Sequence, residues 1–416
     1  MRWSSTYPNA WRRAIVLGGR VITLPFVVVS AIAALGLLLS LWREWAGLGP
    51  VSGLNDGYAW GLYKNFNVTT LTALGSGGYA LGVLVYVFNR RKYHVIMRTA
   101  LLTSILCYTS GMLALTVDVG RPWNLMWLAI PWAWNTHSVL FEVALCMTAY
   151  VMIALDLENL TPLLEQLEEK HFPPVVNELA RLAFRVVKVL YPYGVALAFV
   201  LPSMHQSSLG SLMYQAGYRV HPVWQTPMLP LLYLVMAWVL GLAFVVLVLQ
   251  ASCAIWKLPV DWPLLASVAK IAGWLGLAWI ALRVGDVAVR GVLPKAFQWD
   301  LYTWVFLAEM LLVLIPAALL TARGMLARPR RVFNLLLLLC AGGMLYRYTP
   351  TTIAFQPGDN YAYFPAVPEL LMSLGFIALA VMGFLFTVKK FPILPVPMNL
   401  YLKSTQTNDW NKEHAA

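Results

Sequence analysis

Six ionisable side chains fall inside long apolar runs: Lys64, Asp118, Glu142, Arg283, Asp286 and Glu309, with Arg121, Arg347 and Glu369 at run ends. A charge at the centre of a membrane helix costs roughly 2.5 to 3.5 kcal/mol on insertion scales, so such residues are either structural pairs or functional groups. Asp118 has Arg121 at i+3, a spacing that brings the two together on a helix. That pair would either close the last helical turn or form a polar wall at the mouth of a lipid-facing cavity. Glu142 has Ser138 and Cys146 four residues to either side, about a turn and a half into its run at 3.6 residues per turn. This depth suits inward proton transfer, or a buried partnership with Lys64 or Arg121. His137 stands at the mouth of the same run. Arg283, Asp286 and Arg290 form a charged stripe at i, i+3 and i+7, and Arg283 is placed to pair with Glu309 of the next run, as a structural bridge or as part of a proton path.

The elements that must carry these groups follow from composition. Of 416 residues, 60% are hydrophobic and 12% charged, with a mean hydropathy of +0.68; soluble domains carry about 25% charge. A soluble globular enzyme is excluded. The formal charge of +12 lies in short clusters between apolar runs, which reads as a topology signal and not as a nucleic-acid footprint. Long continuous runs argue against a β-barrel. The fold class is an all-α polytopic membrane protein with ten spans near 21–42, 61–88, 98–119, 137–156, 183–203, 228–251, 264–289, 301–322, 332–349 and 369–388. Connections on the N-terminal side carry 22 Lys and Arg against six on the other, so both termini should be cytoplasmic. One cytoplasmic connection, Thr161 to Glu178, reads as an amphipathic helix with Thr161 as N-cap and Pro162 at the first helical position. The outer connections carry the unusual residues, among them Met204-His205-Gln206-Ser207-Ser208, so function should sit on that face.

A membrane b haem needs axial histidines on facing helices. His94, His171 and His414 fall on cytoplasmic segments, and His137, His205 and His221 at outer helix ends or loops, so no haem is expected. Cys107, Cys146, Cys253 and Cys340 are widely spaced, which excludes a CxxC metal or iron–sulfur site. Any redox role therefore requires a partner's metal centre close to a bound organic acceptor. A secondary transporter would show helices broken at mid-membrane, whereas here only Pro316 lies deep; a passive anchor is the other alternative.

Several stretches together resemble the NrfD/PsrC family of quinone-interacting membrane subunits, most closely the HybB-like branch of [NiFe]-hydrogenase membrane subunits. They include Asp118-Val119-Gly120-Arg121-Pro122-Trp123-Asn124, Met204-His205-Gln206-Ser207-Ser208-Leu209-Gly210-Ser211-Leu212-Met213, Gly217-Tyr218-Arg219-Val220-His221-Pro222 and Tyr361-Ala362-Tyr363-Phe364-Pro365. The resemblance implies two four-helix bundles, helices 2–5 and 6–9, flanked by helices 1 and 10. The chain then divides into a cytoplasmic N-terminus (1–20), first helix and outer loop (21–60), first bundle (61–203), outer loop (204–227), second bundle (228–349), outer loop and last helix (350–390) and cytoplasmic tail (391–416). It also implies a bacterial inner-membrane location, a menaquinone or ubiquinone cofactor, and an iron–sulfur protein and catalytic subunit docked on the periplasmic face. A [NiFe]-hydrogenase is the leading partner; polysulfide, formate and multihaem-cytochrome partners remain open. The quinone head group is expected between the outer ends of helices 3, 4 and 5, near Arg121, Trp123, His137, His205 and Gln206. Glu142 and Asp118 would transfer protons there. Tyr108, about 15 Å below Asp118, would lie on an inward path, and Arg283, Asp286 and Glu309 would form a charged path in the second bundle.

Overall fold

The computed structural model describes residues 14–58, 60–155 and 174–396. Among the described residues ten main helices follow one another: α1 (Leu24–Ala46), α2 (Leu62–Val87), α3 (Arg91–Asp118), α4 (Val139–Ala149, continuing through wider-wound turns at Tyr150–Leu155), α5 (Pro174–Gln215), α6 (Leu229–Ile255), α7 (Trp262–Val289), α8 (Leu301–Thr321), α9 (Pro329–Ile353) and α10 (Val367–Lys390). Eight are long and apolar enough to cross a membrane; α4 is a shorter apolar helix. Their starts are encoded locally. Proline occupies the first turn of α1, α6, α7, α9 and α10, where its missing N–H removes nothing. Asp261, Asp300 and Ser138 cap α7, α8 and α4 by accepting from Leu264, Thr303 and Phe141 N–H groups.

The helices pack as α2–α5 and α6–α9, with α1 and α10 lying against each other and α10 also against α3. The bundles meet where α2 and α5 pack against α6, with α2 crossing it closely. A Cβ on Gly241 would come within 2.5 Å of the Ser76 carbonyl carbon and closer still to the Gly77 nitrogen, so only glycine permits this approach. Arg347 on α9 reinforces the junction: its guanidinium donates to the carbonyls of Thr69 on α2 and Tyr233 on α6, both at 2.7 Å, and lies 4.8 Å from the Tyr233 ring centroid.

Two short strands, β1 (Ala14–Ile15) and β2 (Leu394–Pro395), pair antiparallel. Arg98 and Thr99 hold the same end of the chain through the Pro392 and Ile393 carbonyls. Both ends of the described chain therefore lie on one face, as an even number of crossings requires. We call this the basic face and the opposite one the linker face.

Two expectations change, and one falls outside the described residues. The Met204–Ser208 stretch is not a loop but part of α5, which runs on to Gln215; the outer connection shortens to 216–228 because the polar side chains find partners inside the bundle. Glu142 lies in the first turn of α4, nearer the helix end than a turn and a half. The expected cap at Thr161 and Pro162, and His171 and His414, lie outside the described residues.

The glycine contact at the crossing of α2 and α6 gives a direct test. Gly241→Leu should destabilise the protein by about 1–3 kcal/mol through overpacking, read as a lower thermal midpoint in detergent. An unchanged midpoint would show that the bundles do not meet there.

Candidate functional site

At the linker face, α1, α2, α3 and α10 surround a small cleft, open at its rim and lined by Arg43, Tyr63, Lys64, Asp118, Glu369 and Met372 among others. Lys64 sits in the first turn of α2 and Asp118 in the last turn of α3, each at the end its own helix dipole disfavours. They offset one another: Lys64 Nζ lies 2.6 Å from Asp118 Oδ2 and 4.7 Å from the Trp60 ring centroid. Arg43 donates to the Asp118 carbonyl at 2.8 Å and so caps α3 with a cation. Asp118 does not pair with Arg121. The helix ends at Asp118 and Val119 is extended, so the i+3 spacing no longer places the two side chains together, and Arg121 is exposed.

On the third wall Glu369, in the first turn of α10, is 1% exposed. Its Oε1 accepts from Tyr63 N–H at 3.0 Å and Tyr363 O–H at 2.7 Å, and Oε2 has only a long contact, 3.4 Å, from Gly53 N–H. Tyr363 Oη in turn accepts from Leu62 N–H at 2.5 Å. Burial holds the Tyr363 phenol well above its ordinary pKa, and the neighbouring Glu369 adds to this.

Deeper in the first bundle, about 12 Å along α2 from Lys64 to Thr72, lies a neutral polar cluster. Gln206 Nε2 donates to Thr72 Oγ1 (3.1 Å) and Tyr108 Oη (3.2 Å). His205 Nδ1 is 3.0 Å from the Val143 carbonyl and Nε2 3.3 Å from Thr72 Oγ1. A carbonyl only accepts, so Nδ1 carries the proton of the neutral ring. The Tyr108 ring packs edge-on against Tyr150 at 4.8 Å and lies 5.5 Å from His205. Gln206 Oε1 and both amide atoms of Asn65 have no protein partner among the described residues, which calls for internal water.

The sequence-predicted residues thus fall in three places. Tyr108, His205 and Gln206 come together inside the bundle. Asp118 faces the cleft with Lys64, a partner the sequence did not assign. Arg121, Trp123 and His137 are exposed on the linker 119–138, whose two tight helical stretches, Pro122–Ala129 and Pro131–Ala133, bury no residue. Glu142 is half-buried beside Val143, at the linker end of the inner cluster. Sequence reasoning missed Arg43, Thr72 and Tyr363. None stands out as a charge within an apolar run, although Tyr363 lies in a stretch already singled out.

In the second bundle Arg283 does not bridge to Glu309. Arg283 donates to the Val223 carbonyl at 3.0 Å and lies 3.5 Å from Asp286, which Arg290 holds at 2.7 Å and Thr226 at 2.5 Å. Glu309 accepts from Trp224 Nε1 at 3.0 and 3.2 Å and from Thr349 Oγ1. Arg290 also grips the carbonyls of Pro222, Val223 and Gln225, clamping the 216–228 connection onto the bundle.

The Lys64–Asp118 pair has a signature in stability. Lys64→Met leaves the nearly buried carboxylate unpaired, at a cost of about 3 kcal/mol, whereas Lys64→Met with Asp118→Asn should recover most of that loss. Thermal midpoints of single and double variants in detergent measure it; equal losses would mean that the pair is not coupled.

The family model described as "Polysulphide reductase, NrfD" matches residues 50–350. The chain is 38% identical over 404 residues to the "Probable Ni/Fe-hydrogenase 2 b-type cytochrome subunit" of Escherichia coli (strain K12), covering 96% of this chain and 98% of that one. It is 28% identical over 385 residues to the "Menaquinone reductase, integral membrane subunit" of Nitratidesulfovibrio vulgaris, covering 86% and 88%. A shorter match, 32% over 97 residues, is to a selenate reductase subunit of Mesobacillus selenatarsenatis, covering 23% and 22%. The first of these names raises a b-type haem, and the residues here do not fit one. Among the described histidines only His205 lies within the bundle interior, with both ring nitrogens already engaged; His94, His137 and His221 stand at helix ends or in connections. With a family model spanning most of its length and a full-length relative, the chain belongs to the NrfD family of multi-span membrane proteins.

Proposed function

We propose that this chain is the quinone-reactive membrane subunit of a respiratory oxidoreductase in a bacterial inner membrane. It passes electrons between an iron–sulfur subunit at the linker face, most simply that of a [NiFe]-hydrogenase, and menaquinone or ubiquinone in the bilayer. The observation that carries this reading is the cleft at the linker-face ends of the helices, holding the Lys64–Asp118 pair. A quinone reaches such a site from lipid, and its carbonyl oxygens need donors. Lys64 Nζ supplies a charge-assisted one, and Asp118 fixes its position. The full-length likeness to a hydrogenase subunit and to a menaquinone reductase subunit is consistent with this.

Reducing a quinone takes two electrons and two protons. A chain whose described histidines do not suit haem would bind its acceptor within reach of the partner's clusters, and the exposed linker bearing Arg121, Trp123 and His137 offers that surface. Proton movement would use Glu142 and, beneath it, the hydroxyl and imidazole groups of Thr72, Tyr108 and His205, which Gln206 holds together and which internal water would have to join for a proton to pass. Arg283, Asp286 and Glu309 form the corresponding charged group in the second bundle, available for coupled proton movement.

In the assembled complex, Lys64→Met with Asp118→Asn should preserve the partner's activity toward an artificial dye and lower quinone-linked turnover at least tenfold. Glu142→Gln should do the same if it carries protons, and full turnover in either variant removes those residues from the mechanism. Cysteines introduced at 137 and 361 should react with an impermeant reagent from the periplasmic side, and those at 20 and 328 from the cytoplasmic side. The reverse pattern would invert the chain and move its partner.

A further inference from the structure

We propose that Glu369 and Tyr363 are the proton-transfer pair connecting water at the linker face to the cleft; this rests on the quinone reading above. The cleft is lined by two cations, Arg43 and Lys64, and two carboxylates, Asp118 and Glu369. Asp118 is committed to Lys64, and Arg43 to Glu44 and the Asp118 carbonyl. Glu369 is in no ion pair among the described residues, although it is 1% exposed. It is held instead by neutral donors: Tyr63 N–H and Tyr363 O–H on Oε1, and Gly53 N–H at long range on Oε2. A carboxyl held by neutral donors, with one oxygen nearly free, has no salt bridge that a proton transfer would have to break.

Tyr363 gives this carboxyl a route out. Its ring is half-buried in the 354–366 connection, 5.7 Å from the Tyr58 ring, and its hydroxyl touches both Glu369 and the Leu62 N–H. Glu369 lines the cleft, and Tyr363 is half-buried in the connection at the linker face. Gly61 is what allows the two oxygens to meet. A Cβ there would stand 2.7 Å from Tyr363 Oη and closer to Glu369 Oε1, so any side chain at 61 would push them apart.

During quinone reduction, the partner's iron–sulfur centre supplies the two electrons. Glu369, as the neutral acid, breaks its O–H bond and gives the proton to the quinone oxygen that has gained negative charge, forming the new O–H bond there. The carboxylate then takes the Tyr363 hydroxyl proton while Tyr363 takes one from water at the linker face. The net change is one proton moved from that water to the quinone oxygen, with Glu369 and Tyr363 restored; oxidation runs the same steps backwards. The second proton travels separately, by Glu142 and the inner cluster.

The test uses the intact complex in liposomes, with three readings: dye-linked activity of the partner, binding of a hydroxyquinoline N-oxide as quinone analogue by fluorescence quenching, and quinone-linked turnover against pH. Glu369→Gln should keep the first two and lower turnover tenfold or more, and Glu369→Asp should recover part of it. Tyr363→Phe, which retains the ring, should lower turnover several-fold and alter its pH profile, an effect a merely structural brace would not have. If Glu369→Gln does not assemble, Tyr363→Phe decides alone. Wild-type turnover with an unaltered pH profile in Tyr363→Phe, or full turnover in Glu369→Gln, overturns the proposal. If the wild-type complex fails to bind the analogue, or binding survives Lys64→Met with Asp118→Asn unchanged, the quinone site itself is wrong and the proposal falls with it. Loss of binding in that double variant beside full turnover in Glu369→Gln sinks the proton pair alone.

Discussion

A bilayer interior offers no water to satisfy a polar group, and Arg347 shows how strictly this chain obeys that constraint. The guanidinium is fully buried between the two bundles and has no carboxylate partner among the described residues. It is solvated by two backbone carbonyls and an aromatic face. One of those carbonyls, Thr69, lies in the wide-wound segment Asn65–Leu71 of α2, where the usual helical ladder is perturbed and backbone groups can turn to other partners. The departure from regular helix and the buried charge therefore explain each other. Together with the Gly77–Gly241 approach they fix how the two bundles sit.

The same constraint divides the chemistry of the two halves. The first bundle buries neutral groups, Thr72, Tyr108, His205 and Gln206, in a hydrogen-bonded cluster, and keeps its charges at the linker face around the cleft. The second bundle buries its charges at the linker end, in the Arg283–Asp286–Arg290 set, and uses them to hold the 216–228 connection shut over it. His221 in that connection stacks on Tyr302 at 4.3 Å, and burial lowers its pKa against the opposing pull of Asp300.

Most of the fold was legible because apolar runs and their breakers are strong signals. The described residues hold ten helices in the expected order, eight of them long and apolar enough to cross a membrane, and both ends of the described chain lie on one face. The site was less legible, for physical reasons. Met204–Ser208 read as a loop because four polar residues in succession normally leave a membrane, yet His205 and Gln206 bond to Val143, Thr72 and Tyr108 on helices far away in sequence. Asp118 was assigned to Arg121 by local spacing, but the helix ends between them and the nearer cation is Lys64, on another helix. Periodicity reports only what lies within a turn of a residue. Both errors came from partners supplied by tertiary packing.

The unequal treatment of the two linker-side ends decides where exchange with a partner or with lipid can occur. Over the second bundle, Arg290 makes three backbone contacts and the chain above it is pinned by the Val220–Phe355 bridge and the Arg219 and Ala354 carbonyls, so nothing enters without breaking several hydrogen bonds at once. Over the first bundle, the linker 119–138 carries Trp123, Met126, Trp127 and Trp132 exposed and buries no side chain in its two tight helical stretches. The cleft beside it stays open at its rim. An end sealed by charge and an end left apolar and uncovered are opposite solutions on one face, and only the second leaves a path between the surface and the groups inside.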